Sequence, residues 1–289
     1  MARISYVNGE YVLHSDALVH IEDRGYQFSD GIYEYCAFYN GVLLDADLHW
    51  ERLERSLKEL HIAAPMSRAA LNLVIQELMD QNGKRDGGLY LQVTRGVAKR
   101  DHPFPKHVKP ALTMTICGPK SPKPSEIKEG VKVMTYPDNR WARRDIKSIS
   151  LLANVIAKNA ASTKGLREAW LVMDNAQITE GSVSNAYIVN AKGELITHHL
   201  DNHILGGVTR DVVLKLARKA GIVVHERAFN MQEIKSAQEA FITSTSVNVL
   251  PVVRVDDVTI GKGKPGPVTK KLLQLYYDHI LEQTGKRFA

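Results

Sequence analysis

The sequence predicts a mixed α/β protein built as two domains. Strand-like and helix-like runs alternate in both halves of the chain, each half carries hairpin signals, and one proline-rich stretch separates the halves. The hairpins favour antiparallel or mixed sheets over a doubly wound parallel sheet. In the first half, strand-like residues 4–7 and 11–13 flank Asn8-Gly9, a pair suited to the two positive-φ positions of a type I′ turn. Residues 32–39 are strand-like and rich in aromatics; Asn40-Gly41 and residues 42–44 complete a second hairpin. In DLHWERLERSLKEL the apolar Leu48, Trp50, Leu53, Leu57 and Leu60 fall on one helical face. A second helix starts near Ser67, a good N-cap, and stops before Gly83. Strand-like runs at 89–95 and 111–116 enclose the polar loop GVAKRDHPFPKHVKP.

The stretch GPKSPKPSE at 118–126, with three prolines and few apolar residues, reads as a linker between a domain at 1–117 and one at 127–289. Strands are expected at 131–136, 168–173, 185–189 and 194–197, the last two joined by Ala191-Lys192-Gly193, and again at 240–243 and 249–253. Helices are expected around 150–162, at 209–220 with Gly221 as the stop, and at 267–284 with proline in the first turn.

Composition narrows the functional classes. Of 289 residues, 44% are apolar and 24% charged, which excludes disordered and low-complexity chains. No apolar run approaches the ~18 residues of a membrane span, and the N-terminus has no long apolar segment, so no membrane association and a cytoplasmic location are expected. The net charge of +6 is spread along the chain without a Lys/Arg block, so no nucleic-acid partner is expected. Cys36 and Cys117 each lie in an apolar run and read as buried thiols. Neither GxGxxG nor a GxxxxGK[ST] loop occurs, no HExxH occurs, and His102 has no histidine four residues away on either side, so no metal site is expected.

Five segments could carry chemistry. Lys147 precedes an apolar helix and follows Arg143 and Arg144; cations and apolar surface favour the free amine that Schiff-base chemistry needs. Alone, it would read as a solvated lysine. Glu180 follows a strand among small polar residues, and would need a cationic partner to be more than a turn acid. Gly206-Gly207-Val208-Thr209 leads directly into a helix, whose first N–H groups and dipole suit a phosphate. Ser244, Thr245 and Ser246 could complete a phosphate cup or simply cap a turn. Arg100 and His102, in RDHPFP, offer a guanidinium and an imidazole to a carboxylate, or form an ordinary basic loop.

Taken in order, DRGYQFSDGIYEY, HWERLERS, DIKSISLLANVIAK, ITEGSVSNAYIV, ILGGVTR and GKGKPGPVTKKLL resemble the class IV (fold type IV) pyridoxal-phosphate enzymes, essentially end to end. Within that family, RDHPFP and Tyr33 in DGIYEY resemble the D-amino-acid aminotransferase branch. The resemblance implies two α/β domains with the cofactor at their interface, and ping-pong transamination of D-amino acids such as D-alanine and D-glutamate with 2-oxo acids. It implies that Lys147 holds pyridoxal phosphate as a Schiff base and then shuttles a proton. Glu180 would pair with the pyridine nitrogen. Arg52, Val208, Thr209, Ser244 and Thr245 would hold the phosphate, and Ser182 and Ser184 would line the cofactor. Tyr33, Arg100 and His102 would bind the substrate α-carboxylate, the Arg-x-His loop reaching in from the other subunit of a homodimer. Val183 stands where the D-amino-acid enzymes carry a hydroxyl, and Gly206 where proline is common. The alternatives are an L-branched-chain aminotransferase, an aminodeoxychorismate-lyase-like enzyme, and a phosphate-ligand module without catalysis.

Overall fold

A computed structural model describes residues 3–288 and divides the chain into two compact units. The first comprises Met1–Lys120, Ile146–Ser150 and Glu282–Lys286; the second comprises Ser121–Asp145, Leu151–Leu281 and Arg287–Ala289.

The first unit contains β1 (Ile4–Val7), β2 (Glu10–Leu13), α1 (Arg24–Phe28), β3 (Gly31–Tyr39), β4 (Val42–Leu43), α2 (Ala46–Glu59), α3 (Arg68–Gln81), β5 (Gly87–Thr94) and β6 (Ala111–Cys117). Its six-stranded sheet runs β2-β1-β6-β5-β3-β4, with antiparallel neighbours throughout. The two short turns form as the sequence predicts, because Asn8, Gly9, Asn40 and Gly41 all take positive φ. Ser67 caps α3 by accepting from the Ala70 N–H at 3.3 Å. Trp50, Leu53 and Leu57 of α2 share one core with Leu71, Ile75 and Leu78 of α3 and with alternate residues of the sheet, including Ile32, Cys36, Leu89, Leu91 and Val93.

Residues 146–150 fall within the stretch expected to form the second domain, yet they pack with the first unit. β4 pairs only with the end of β3, which leaves the edge at Gly31–Tyr33 open. The Tyr33 N–H donates to the Lys147 carbonyl at 3.0 Å, the Ile149 N–H donates to Gly31 O at 3.1 Å, and Ile32 bridges Ser148. Ile146 completes the anchoring by entering the first unit's core.

The second unit contains α4 (Pro124–Glu129), β7 (Val131–Pro137), α5 (Leu152–Thr163), β8 (Glu168–Val172), β9 (Gln177–Gly181), β10 (Asn185–Val189), β11 (Leu195–Thr197), α6 (Val208–Lys219), β12 (Val224–Glu226), β13 (Phe229–Asn230), α7 (Met231–Ser236), β14 (Glu239–Ser244), β15 (Asn248–Val255), β16 (Val258–Thr259) and α8 (Pro267–Thr284). Its ten-stranded sheet runs β12-β11-β10-β14-β15-β7-β8-β9-β13, with β16 paired to β15. The β7–β8, β15–β7 and β11–β12 pairs are parallel and the others antiparallel, giving the mixed sheet expected from the hairpins. Sequence reading missed β9, β12, β13 and β16: three are only two or three residues long, and β9 mixes Thr179 and Glu180 into a buried position. Helix α4 occupies the end of the proline-rich stretch, with Pro124 in its first turn.

Candidate active site

Lys147 is half-buried, and its Nζ lies 4.2 Å from the centroid of the Tyr33 ring. Tyr33 in turn stacks on Tyr90 at 5.8 Å. The lysine backbone is fixed independently of its side chain, through the Tyr33 N–H bond above and its own N–H to Ser56 Oγ at 3.3 Å. The neighbouring arginines have carboxylate partners of their own. Arg143 forks onto Asp145, and Arg144 reaches Asp138 at 3.4 Å and His203 Nδ1 at 2.8 Å.

Arg52 belongs to a buried triad. Its Nε and Nη2 grip Glu34 at 2.7 and 2.8 Å, and His49 Nδ1 lies 2.8 Å from Glu34 Oε2. Burial pushes the Glu34 carboxyl up, but the guanidinium and the imidazole outweigh it and hold the carboxyl well below the usual range. His49 is pushed down by burial, which keeps the ring neutral near pH 7. Glu34 shares the core face of β3 with Ile32, Cys36 and Phe38, so a charged residue in an apolar alternation was the readable signal that sequence reasoning passed over. Glu34→Gln should cost about 3–5 kcal/mol, since it strands a buried guanidinium. Because the folded carboxyl titrates below its ordinary value of 4.5, its contribution is full above pH 4.5 and lost as pH falls further. Urea unfolding of both proteins should show a gap that is constant from pH 7 to 5 and narrows in more acid solution.

Of the expected carboxylate-binding set, the first unit brings two members together. Arg100 and His102 are exposed and share Phe28, the guanidinium 4.8 Å from its centroid and the imidazole 5.5 Å. Tyr33 packs instead with Tyr90 and beside Lys147.

In the second unit, Glu180 is 4% exposed and sits on β9. Oε1 accepts from Arg140 Nη1 at 2.6 Å, Oε2 accepts from Asn185 Nδ2 at 3.0 Å, and the Leu205 N–H reaches both oxygens at 3.1 Å. Arg140 also forks onto Asp138 at 2.9 and 2.8 Å, and Thr179 donates to Asp138 at 2.8 Å. Burial pushes Glu180 upward; Arg140 and the Leu205 N–H pull it back only in part. A further cationic N–H would act in the same sense as Arg140, which is the partner the sequence reading required. Arg140 and Asp138 went unassigned from sequence because no local spacing links residues about 40 positions apart.

Ser182 and Ser184 turn their hydroxyls onto the buried Glu168. Ser184 Oγ donates at 2.9 Å, Ser182 Oγ donates to the other carboxylate oxygen, and the Val183 N–H adds a bond at 3.4 Å. These bonds brace the turn, leaving Val183, 57% exposed, as its outward side chain. Asn154 of α5 donates to Ser182 O at 2.8 Å.

Helix α6 begins after Gly207 with no side-chain cap, and Val208 and Thr209 stand at its buried start. A Cβ at Gly207 would meet Asn185 Oδ1 at 2.1 Å, so glycine permits the close approach of the helix start to the Glu180 network. Ser244 ends β14, against which α6 packs, and its Oγ lies 3.1 Å from Ser246 Oγ; Thr245 sits in the same turn.

Within the first unit, a half-buried lysine and an oriented arginine suit the aldehyde and the phosphate of pyridoxal phosphate; within the second, a buried carboxylate braced by arginine suits its ring nitrogen, and an uncapped helix start with nearby hydroxyls suits its phosphate, so the residues of each unit fit that group. Donors of these kinds are those a lysine-based, pyridoxal-phosphate enzyme uses. Residues 31–255 match the model of the class IV amino-transferase family, and the chain belongs to it. It is 42% identical to the D-alanine aminotransferase of Bacillus licheniformis over 279 residues, 96% of this chain and 98% of that one. It is 40% identical to the D-alanine aminotransferase of Staphylococcus aureus strain N315, over 95% and 97% of the two chains. Its fold superposes on the branched-chain amino acid aminotransferase of Escherichia coli with a TM-score of 0.92 at 24% identity, covering 100% of this chain and 97% of that one.

Proposed function

We propose that this enzyme transfers the amino group of D-amino acids, D-alanine foremost, to 2-oxo acids, using pyridoxal phosphate in a ping-pong cycle. The observation that carries the D handedness is the exposed Arg100–His102 pair on one loop, in a chain about 40% identical over nearly its full length to proteins named D-alanine aminotransferase.

When bound, pyridoxal phosphate supplies the Schiff-base carbonyl and the electron sink for the pair left at the substrate Cα. Lys147 would hold it, and its Nζ would serve as the base that takes the proton from Cα. Glu180, its two oxygens fixed by Arg140, Asn185 and the Leu205 N–H, would keep a proton on the ring nitrogen. Arg52, the start of α6 at Val208 and Thr209, and Ser244 and Thr245 would take the phosphate, with Glu34 orienting the Arg52 fork. Ser182 and Ser184 support that site through their braced turn. Arg100 and His102, with Tyr33, take the substrate α-carboxylate. A single lysine removes a proton from one face only, so the position of the carboxylate anchor decides which enantiomer presents its Cα–H.

We further propose a homodimer in which the Arg100–His102 loop serves the partner's site. Leu152, Val155 and Ile156 on α5 are 72, 59 and 49% exposed, and Leu18, Ile21 and Tyr26 are 77, 74 and 75% exposed, the kind of apolar surface a second copy covers.

Arg100→Ala should raise KM for D-alanine by about 10- to 100-fold while the visible spectrum of the bound cofactor is unchanged. Steady-state formation of pyruvate from D-alanine and 2-oxoglutarate measures it. An unchanged KM would remove Arg100 from the substrate site. Turnover of L-leucine but not D-alanine by the wild type would move the enzyme to the L-branched-chain group, and pyruvate released from an aminated chorismate with no oxo-acid acceptor would make it a lyase.

A further inference from the structure

The loop that carries Arg100 and His102 is held by an anchor distinct from the residues that would touch substrate. Its base is closed: Gly96 takes φ +101°, and a Cβ there would meet the Lys109 carbonyl oxygen at 2.0 Å, so the two ends of the excursion lie against each other. The entry strand is stitched to α1, where the Arg24 N–H donates to Gly96 O at 2.9 Å and Asp23 bridges Val97.

The side chains continue the anchor. Arg24 is 3% exposed; its Nε donates to Asp30 Oδ2 at 2.8 Å, and its Nη1 and Nη2 reach the carbonyls of Asp101 and His102 at 2.6 and 3.4 Å. Those two carbonyls belong to the residues immediately after Arg100, so one buried guanidinium grips the backbone of the Arg-x-His segment itself. Arg95 shares Asp30 at 2.7 and 3.0 Å, ties it to Leu60 O and His61 O, and lies 3.6 Å from the centroid of Phe104 further along the loop. Phe28 is the second grip: the guanidinium carbons of Arg24 and Arg100 lie 4.7 and 4.8 Å from its centroid, and the His102 ring 5.5 Å away.

We infer that Arg24, working with Asp30 and Phe28, is the positioning residue that fixes where Arg100 and His102 stand, and so sets the affinity for the substrate carboxylate. The inference rests on the reading of Arg100 and His102 as the carboxylate site. A mobile Arg-x-His loop would have to be ordered at each binding event, and the same two side chains displaced by about 1 Å lose much of their grip. Neither Arg24 nor Phe28 reaches the proton that moves, so the effect belongs in KM and not in kcat.

The test compares wild type, Arg24→Gln, Phe28→Leu and Arg100→Ala as cofactor-loaded enzymes. Arg24→Gln and Phe28→Leu should each raise KM for D-alanine and for the oxo acid about tenfold, with kcat within about twofold and the cofactor spectrum unchanged. Both should speed tryptic cleavage after Lys99 and Arg100, a readout independent of turnover. Phe28→Leu leaves the Asp30 ion pairs intact and serves if Arg24→Gln fails to fold. In Arg24→Gln/Arg100→Ala the rise in KM should be smaller than the product of the two single effects, because Arg24 acts in part through Arg100. If Arg100→Ala raises KM but the anchor variants do not, the positioning role is wrong and the carboxylate site stands. If they raise KM without faster cleavage, the loop is not what moved and the positioning role is again wrong. If Arg100→Ala itself leaves KM unchanged, the carboxylate reading falls and the anchor inference with it.

Discussion

Replacing Lys147 by alanine should abolish amino transfer, slowing loss of the substrate Cα proton by at least about 10³-fold while the chain stays folded. The two halves of that expectation rest on different atoms. The backbone of residue 147 fastens its segment to β3 through bonds that any side chain permits. The side chain contributes one close approach to the Tyr33 ring, worth about 0.5–1 kcal/mol. Removing it should lower Tm by a few degrees only. Nζ is also the group proposed to take the Cα proton, and no described neighbour duplicates it: Arg143 and Arg144 are engaged with Asp145, Asp138 and His203. Exchange of deuterium into D-alanine measures the proton step directly, and differential scanning calorimetry measures the fold. Added methylamine should restore part of the exchange rate. A Lys147→Ala protein that exchanged the Cα proton at the wild-type rate would require a different base.

Glu180→Gln should produce the second largest loss, about 10²-fold in the same proton step, with the cofactor still bound. A neutral amide cannot hold a proton on the ring nitrogen, so the electron pair at Cα loses its sink. The structure adds a stability term that a lone surface glutamate would not have. Three donors converge on this carboxylate, from Arg140, Asn185 and the Leu205 backbone. A glutamine offers one acceptor oxygen and turns an NH2 toward at least one of those donors, costing about 1–3 kcal/mol. Single-turnover rates, taken with the unfolding midpoint, separate the two. A variant that is destabilised but reacts at the wild-type single-turnover rate would make Glu180 a structural carboxylate.

Much of this was legible before any coordinates. Asn-Gly turns and the periodicity of α2 are local properties, set by positive φ and by the 3.6-residue repeat, so residues 8–9, 40–41 and 46–59 form as read. The individual roles of Lys147, Glu180 and Arg52 came from motif resemblance, since a lysine or glutamate in isolation carries no such signal. Three features were not legible. The segment at 146–150 joins the first unit because β3 has an open edge there, a fact of sheet topology invisible to linear division of the chain. The Asp138–Arg140–Glu180 network and the Glu168 turn depend on residues up to 41 positions apart meeting in space. The serines at 182 and 184 looked like groups waiting for a ligand, whereas a buried carboxylate on β8 already draws their hydroxyls.

The proposed function requires this chain's lysine, carboxylate and Arg-x-His loop together to give amino transfer from D-amino acids. The most direct measurement is a half-reaction without any oxo acid. Cofactor-loaded enzyme is mixed with D-alanine in one sample and L-leucine in another, and the visible cofactor band and pyruvate are followed together. D-alanine alone should bleach the band, with one pyruvate formed per active site. Bleaching by L-leucine alone would contradict the handedness assigned to Arg100 and His102, and a band disturbed by neither would contradict D-amino-acid transamination itself.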